Sequence, residues 1–192
     1  MKSAPLPSAI TDLVSLRQAV AQGQALKYLF FWGHTPIPNA RTVGKECLSQ
    51  WYPAAFEVDG ERYVTAEHFM MAEKARLFGD EAIRTKILSA KHPDQAKRLG
   101  REVLHFDAET WDAARFNIVV RGCTAKFEQH PALRAYLLTT GDRVLVEASP
   151  VDTIWGIGLP QQDARALNPA AWQGLNLLGF AMMEVRTRLQ AL

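Results

Sequence analysis

The stretch Thr110–Glu128, TWDAARFNIVVRGCTAKFE, decides the class of fold. Phe116, Val119, Val120, Cys123 and Phe127 fall at i, i+3, i+4, i+7 and i+11, one continuous apolar stripe along a long helix. Cys123 sits inside that stripe and reads as a small packing group rather than a nucleophile. Trp111 and Arg115 lie one turn apart beside it, where an indole can stack on a ring while a guanidinium holds a phosphate. A surface cation–π pair is the plainer reading of the same two residues.

Working outward, further helices are expected over Glu81–Ala90 and Asp94–Arg101, and another from Pro131, which suits a first helical turn. Phe56–Val64 reads as a hairpin, because Asp59-Gly60 readily takes the positive φ of a tight turn. Thr65 then caps a helix that starts at Ala66 and stops at Gly79. Leu26–Trp32 is short, apolar and aromatic, as a buried strand is, and Arg143–Glu147 alternates like a second one. Ile10–Ala21 follows a helical period, with Ser8 or Thr11 as cap and Gly23 as its end. The segment 33–46 and the Asp-, Pro- and Gly-rich segment Ser149–Pro169 read as loops, and Gly179–Leu192 as a closing helix. With no internal repeat and no linker, the expectation is one mainly helical α+β domain with a few short strands. Residues 1–25 form an N-terminal leader and helix, and 26–192 form the domain.

Composition narrows the function. The 192 residues are 48% hydrophobic and 22% charged, which fits a globular chain and excludes fibrous or wholly disordered ones. A net charge of +2 gives no bulk argument for nucleic-acid binding. No run approaches a membrane span, the first residues lack a secretory apolar core, and two cysteines do not make a disulfide framework. A cytoplasmic protein with no membrane partner is therefore expected. The HExxH, CxxC, GxSxG and GxxxxGK[ST] motifs are missing and the five histidines are scattered, so neither metal nor cofactor is expected.

Two groups of residues can carry chemistry. Glu67 and Lys74 are seven apart on the helix after Thr65 and so point the same way, among Met70, Met71 and Phe78. Charged groups in apolar surroundings either pair with each other or serve a ligand. His68 beside them is open to two readings, a satisfied core histidine or a ligand contact. The second group is Glu147–Gly158, EASPVDTIWGIG. In a nucleotide-like site its Trp155 stacks on a ring, Asp152 holds ribose hydroxyls, and Gly156 and Gly158 admit phosphate to backbone N–H groups. In the bland reading Asp152 caps a turn and Trp155 fills the core. The basic run Lys86, Lys91, Lys97, Arg98 and Arg101 reads as a solvated face, or as a surface for nucleic-acid phosphates.

Four blocks in order resemble the NADAR family, the YbiA-like proteins associated with NAD and ADP-ribose metabolism. They are Phe30-Phe31-Trp32-Gly33 with Leu48-Ser49-Gln50-Trp51; Phe56–Gly60 to His68, followed by Lys74; Arg121–Leu133 leading to Leu145–Glu147 and Asp152–Gly158; and Gly174–Gly179. The resemblance implies N-glycosidase chemistry on a bond between a phosphorylated ribose and a base-like nitrogen. It implies as substrate a small nucleotide, either a riboflavin-pathway phosphoribosylamine that releases ribose 5-phosphate, or ADP-ribosylated guanine, free or within nucleic acid. The N-terminal helix and the Phe30–Gly33 opening favour the guanine-directed branch. Carried over by position, the essential carboxylate falls on Glu67, with Lys74, Trp111 and Asp152 also catalytic. Trp155, Gly156, Gly158 and Asn176 align with pocket positions, and Trp32, Gly33, His68 and Arg115 are further candidates for substrate binding. Lys74 either tunes Glu67 or attacks an opened ribose as a Schiff-base nucleophile. Gln50 stands where relatives often have Asn, and Ile157 where some have Asp, which removes a charge near the ligand loop. The competing reading is a non-catalytic ADP-ribose or NAD sensor.

Overall fold

A computed structural model describes residues 10–36, 38 and 42–191. The 1–8 leader and the candidate cap Ser8 lie outside the described residues. In chain order these form α1 (Leu13–Ala21), β1 (Tyr28–Phe31), a 3₁₀ turn (Lys45–Leu48), β2 (Phe56–Val58), β3 (Glu61–Tyr63), α2 (Ala66–Leu77), α3 (Glu81–Leu88), α4 (Pro93–Gly100), α5 (Ala108–Gln129), α6 (Pro131–Thr139), β4 (Val144–Glu147), 3₁₀ turns at Ala164–Leu167 and Pro169–Ala171, and α7 (Leu177–Gln190). The fold is the mainly helical α+β class with few short strands that the sequence implied. It divides into two compact units: the described residues up to Trp32 with Thr140–Glu184, and Gly33–Thr139 with the residues from Val185 on.

In the first unit β1 and β4 pair in parallel, Tyr28 opposite Val144 and Phe31 opposite Glu147. Their unbroken apolar runs suit strands covered on both faces. Helix α1 is capped by Asp12, whose carboxylate accepts from Ser15 N–H at 2.7 Å while the Ser15 hydroxyl returns a bond. Neither Ser8 nor Thr11 was needed, because Asp12 sits at the N-cap with a partner three residues on. Gly23 follows the helix at φ 77°, as expected. Arg17 ties α1 to Pro169 O at 3.0 Å.

The second unit is organised around α2. Thr65 caps it, accepting from His68 N–H, and the hairpin before it turns at Asp59 (φ 53°) and Gly60 (φ 79°), both expected. Nine residues of α2 are buried, Glu67, His68 and Glu73 among them. A helix wrapped on every side carries no amphipathic stripe, so its burial was not readable from period. Helices α3, α4 and α5 pack against it.

Two glycines set the packing distance. A Cβ on Gly122 of α5 would lie 2.3 Å from the Phe69 ring, and one on Gly100 of α4 would lie 2.1 Å from the Met71 sulfur. Phe69 cannot yield freely, because its ring packs against Phe56, tilted, and edge-on against Tyr63. The apolar stripe of α5 lies as expected from Val119 to Phe127, but Phe116 is only half-buried and Lys126 joins the buried face. Gly122→Ala is expected to destabilise the protein by about 1–3 kcal/mol through overpacking, read as a lower midpoint in urea unfolding with the m-value unchanged.

Candidate functional site

Each unit carries its own share of the candidate residues. In the second unit Glu67 stands in the first turn of α2 and is 3% exposed. Its N–H donates to Gln50 O at 3.0 Å, so the turn before β2 caps this helix from outside. Two turns along, Lys74 donates to Gly100 O at 2.7 Å. Its ammonium lies 4.3 Å from the Phe106 ring and 5.7 Å from the Trp111 ring. Among the described residues no carboxylate lies within ion-pair distance of it, so the simple ion pair is not what holds it. Burial, assisted by Arg101, pushes the Lys74 pKa below its usual value.

Trp111 is buried, not a surface residue, and faces Lys74 rather than Arg115. Arg115 is bound instead to Asp112 at 2.7 Å, one turn back on the same helix, which explains why the expected indole–guanidinium pair did not form. His68 is held at both ring nitrogens. Nε2–H donates to Ala90 O at 3.1 Å and Nδ1 accepts the Thr65 hydroxyl at 2.8 Å. Burial lowers its pKa, which favours this neutral form. Of the two readings of His68, this geometry is that of the satisfied core histidine. Gly33 turns at φ 86° with open space around its α-carbon.

In the first unit the Asp152 loop is built on a carboxylate. Asp152 Oδ1 accepts from Ile154 N–H at 2.9 Å and from Trp155 N–H at 2.7 Å. Of the two glycines expected to approach a phosphate, Gly156 packs closely on the end of β4 and Gly158 is held by its own loop. A Cβ on Gly156 would lie 2.9 Å from Glu147 O, and the N–H of Gly158 donates to Asp152 O at 3.1 Å. The Gly158 N–H is therefore not open to a phosphate. Ile157 is fully buried, so its side chain belongs to the core. Trp155 is half-buried, and Trp32 is 60% exposed.

Asn176, expected at a ligand-binding position, is bonded to main chain in this structure. It is fully buried at φ 56°, its Oδ1 accepts from Glu147 N–H at 2.9 Å, and its Nδ2 donates to Leu145 O at 2.9 Å. The amide thus acts as a one-residue strand along the edge of β4 that β1 leaves open. The clue available in the sequence was Gly179, three residues on, where any Cβ would meet Leu145 O and the Asn176 amide.

Lys126 is a site feature that the sequence reading missed. Fully buried, it donates to Cys47 O at 2.8 Å and Ser49 O at 3.0 Å. Its position on the apolar side of α5 was the signal that could have found it. Cys47 and Cys123 are both buried, with pKa values raised to about 12 and about 11 by desolvation, so neither is a nucleophile at neutral pH. Among the described residues no three His, Cys, Asp or Glu side chains gather as a metal site, and no helix is long and apolar enough to cross a membrane.

The NADAR domain family matches residues 30–190. The chain belongs to the NADAR family. It is 43% identical over 169 residues to an N-glycosidase of Acanthamoeba polyphaga mimivirus, which covers 85% of this chain and 97% of that one. It is 35% identical over 133 residues to the N-glycosidase YbiA of Escherichia coli, covering 69% and 74%. The solved structure of YbiA from E. coli matches with a TM-score of 0.67 and 28% identity over 86% of both chains. Kinship at this level makes the chain an enzyme of the N-glycosidase class, a hydrolase of N-glycosyl bonds.

Asn176→Ala leaves Leu145 O and Glu147 N–H without their partner and puts alanine at a positive φ. It is expected to cost about 2–5 kcal/mol, read as a lower denaturation midpoint, whether or not ligand is present.

Proposed function

We propose that the chain hydrolyses the N-glycosyl bond between ADP-ribose and a guanine base, with phosphoribosylamine intermediates of the riboflavin pathway as the alternative substrate class. The observation that carries this reading is Glu67, a carboxylate buried in the first turn of a helix that is itself buried, within a chain of the N-glycosidase family. Cleavage of an N-glycosyl bond passes through an oxocarbenium-like state. A fixed carboxylate at C1 stabilises that charge and orients the attacking water.

In the second unit we assign Glu67 to C1, and Lys74 to electrostatic support rather than covalent attack. Its ammonium is held by Gly100 O and two ring faces, a setting that suits a fixed charge. Trp111 forms one wall of that setting. In the first unit Asp152 spends Oδ1 on its own loop, which leaves its second carboxylate oxygen for a ligand hydroxyl. Trp155 and the exposed Trp32 are assigned to stacking on rings. The leaving base departs protonated and needs a donor on its side.

The test is a hydrolysis panel followed by LC–MS, with ADP-ribosylated guanosine, ADP-ribosylated DNA, phosphoribosylamine intermediates, NAD and ADP-ribose. The wild-type protein is expected to release ADP-ribose or ribose 5-phosphate. Glu67→Gln is expected to lose about 100-fold or more in turnover while ADP-ribose affinity changes little. Lys74→Met is expected to fall in the same direction by a smaller factor. Binding of ADP-ribose with no turnover of any substrate would replace the enzyme by the sensor.

A further inference from the structure

Lys126 stands on the core-facing side of α5, three residues past Cys123, with its side chain fully buried. An ammonium in such a place is tolerated only when its protons are taken up. Among the described residues no carboxylate lies within ion-pair distance of it. Its Nζ is spent on main chain instead, at Cys47 O (2.8 Å) and Ser49 O (3.0 Å), with the Phe127 and Tyr52 rings 5.2 and 5.5 Å away. These two carbonyls bracket the end of the 3₁₀ turn Lys45–Leu48.

The next residue, Gln50, makes the turn matter. Its carbonyl accepts the Glu67 N–H at 3.0 Å, one of the donors that the first turn of a helix cannot satisfy by itself. Gln50 is buried, and its side-chain oxygen accepts the Cys123 thiol at 3.6 Å. Helix α5 therefore grips the backbone just before Gln50 through Lys126 and the Gln50 side chain through Cys123. Gln50 in turn holds the backbone of Glu67.

We propose that Lys126 is a positioning residue for Glu67: by holding the carbonyls of Cys47 and Ser49 it fixes Gln50, and through Gln50 it fixes the first turn of α2 on which Glu67 stands. This rests on the reading of Glu67 as the reaction's carboxylate. A well-packed apolar side chain at 126 would serve the core as well or better, so core packing alone does not account for the lysine. What the ammonium adds is a grip on two particular carbonyls. Burial drives its pKa down to about 8. The neutral amine still has two N–H groups for those two carbonyls, so the grip survives deprotonation. A displacement of about 1 Å at a catalytic group costs about 100-fold in rate, so the grip bears on turnover far more than on affinity.

The test uses Lys126→Met, which keeps the length and removes the donors. Single-turnover rate per ADP-ribose-binding site, with sites counted by calorimetry, is compared with ADP-ribose Kd and with amide hydrogen exchange at Glu67. The expected result is a rate per site lowered about 10-fold or more, Kd within about threefold, and faster exchange at the Glu67 N–H. The Val119 and Val120 amides of α5 keep their protection. A rate per site close to wild type, or an unchanged Glu67 amide, overturns the proposal. Lys126→Leu, which also removes the donors, carries the same comparison if the Met variant does not fold. Failure of both to fold also overturns it, since the lysine is then needed for the fold itself. If the wild-type protein turns over nothing in the panel, the glycosidase reading falls, and the exchange of the Glu67 amide alone decides whether Lys126 holds that turn.

Discussion

Helix α2 is buried around almost its whole circumference, and the second unit is built to satisfy the polar groups that this burial encloses. An enclosed polar group without a partner costs about 1–3 kcal/mol, and the buried side chains of His68 and Glu73 on α2 have each drawn neighbours. Thr65 and Ala90 O hold the His68 ring. Arg76 and Arg121 converge on Glu73, and Arg121 also reaches Asp59 in the hairpin turn. Gln50 O takes the Glu67 N–H. Two glycines on flanking helices let the neighbours come close enough to complete the enclosure.

The first unit solves a different problem by the same means. A two-stranded parallel sheet leaves its outer edges without partners. Along β4 one edge is paired with β1, while the other is closed by the Asn176 amide and by Ile157 N–H on Glu147 O. The loop that follows β4 folds back on itself through Asp152 and the close approaches at Gly156, Gly158 and Gly174. Gly156 and Gly174 lie against main chain, Gly174 facing Gly156 O, while Gly158 lies against Gln173 and Thr153 side chains at a positive φ.

Local signals carried most of the helices and the hairpin. Asp59-Gly60, Thr65, Gly79 and Pro131 each act through their own backbone geometry, and each marked a boundary correctly. Partnerships between distant residues were not legible. Nothing in Tyr28–Phe31 or Val144–Glu147 says that the two strands pair in parallel across more than a hundred residues. The same holds for the candidate site. Spacing along one helix put Glu67 and Lys74 on the same side, but Lys74 found Gly100, Phe106 and Trp111, which only packing could bring to it. The main-chain bonds of Asn176 and of Lys126 were not legible, for one reason. A polar side chain that serves the main chain of another element looks in sequence like a ligand residue or like surface.

The role proposed for Glu67 is to direct water to the sugar carbon of an N-glycosyl bond. Turnover in ¹⁸O-water, with products read by mass spectrometry before the sugar exchanges oxygen with solvent, tests it most directly. One ¹⁸O at the anomeric carbon of the released sugar, none in its phosphates, and loss of that product in Glu67→Gln are expected. Label appearing in phosphate, or the same labelled sugar formed at full rate by Glu67→Gln, would contradict it.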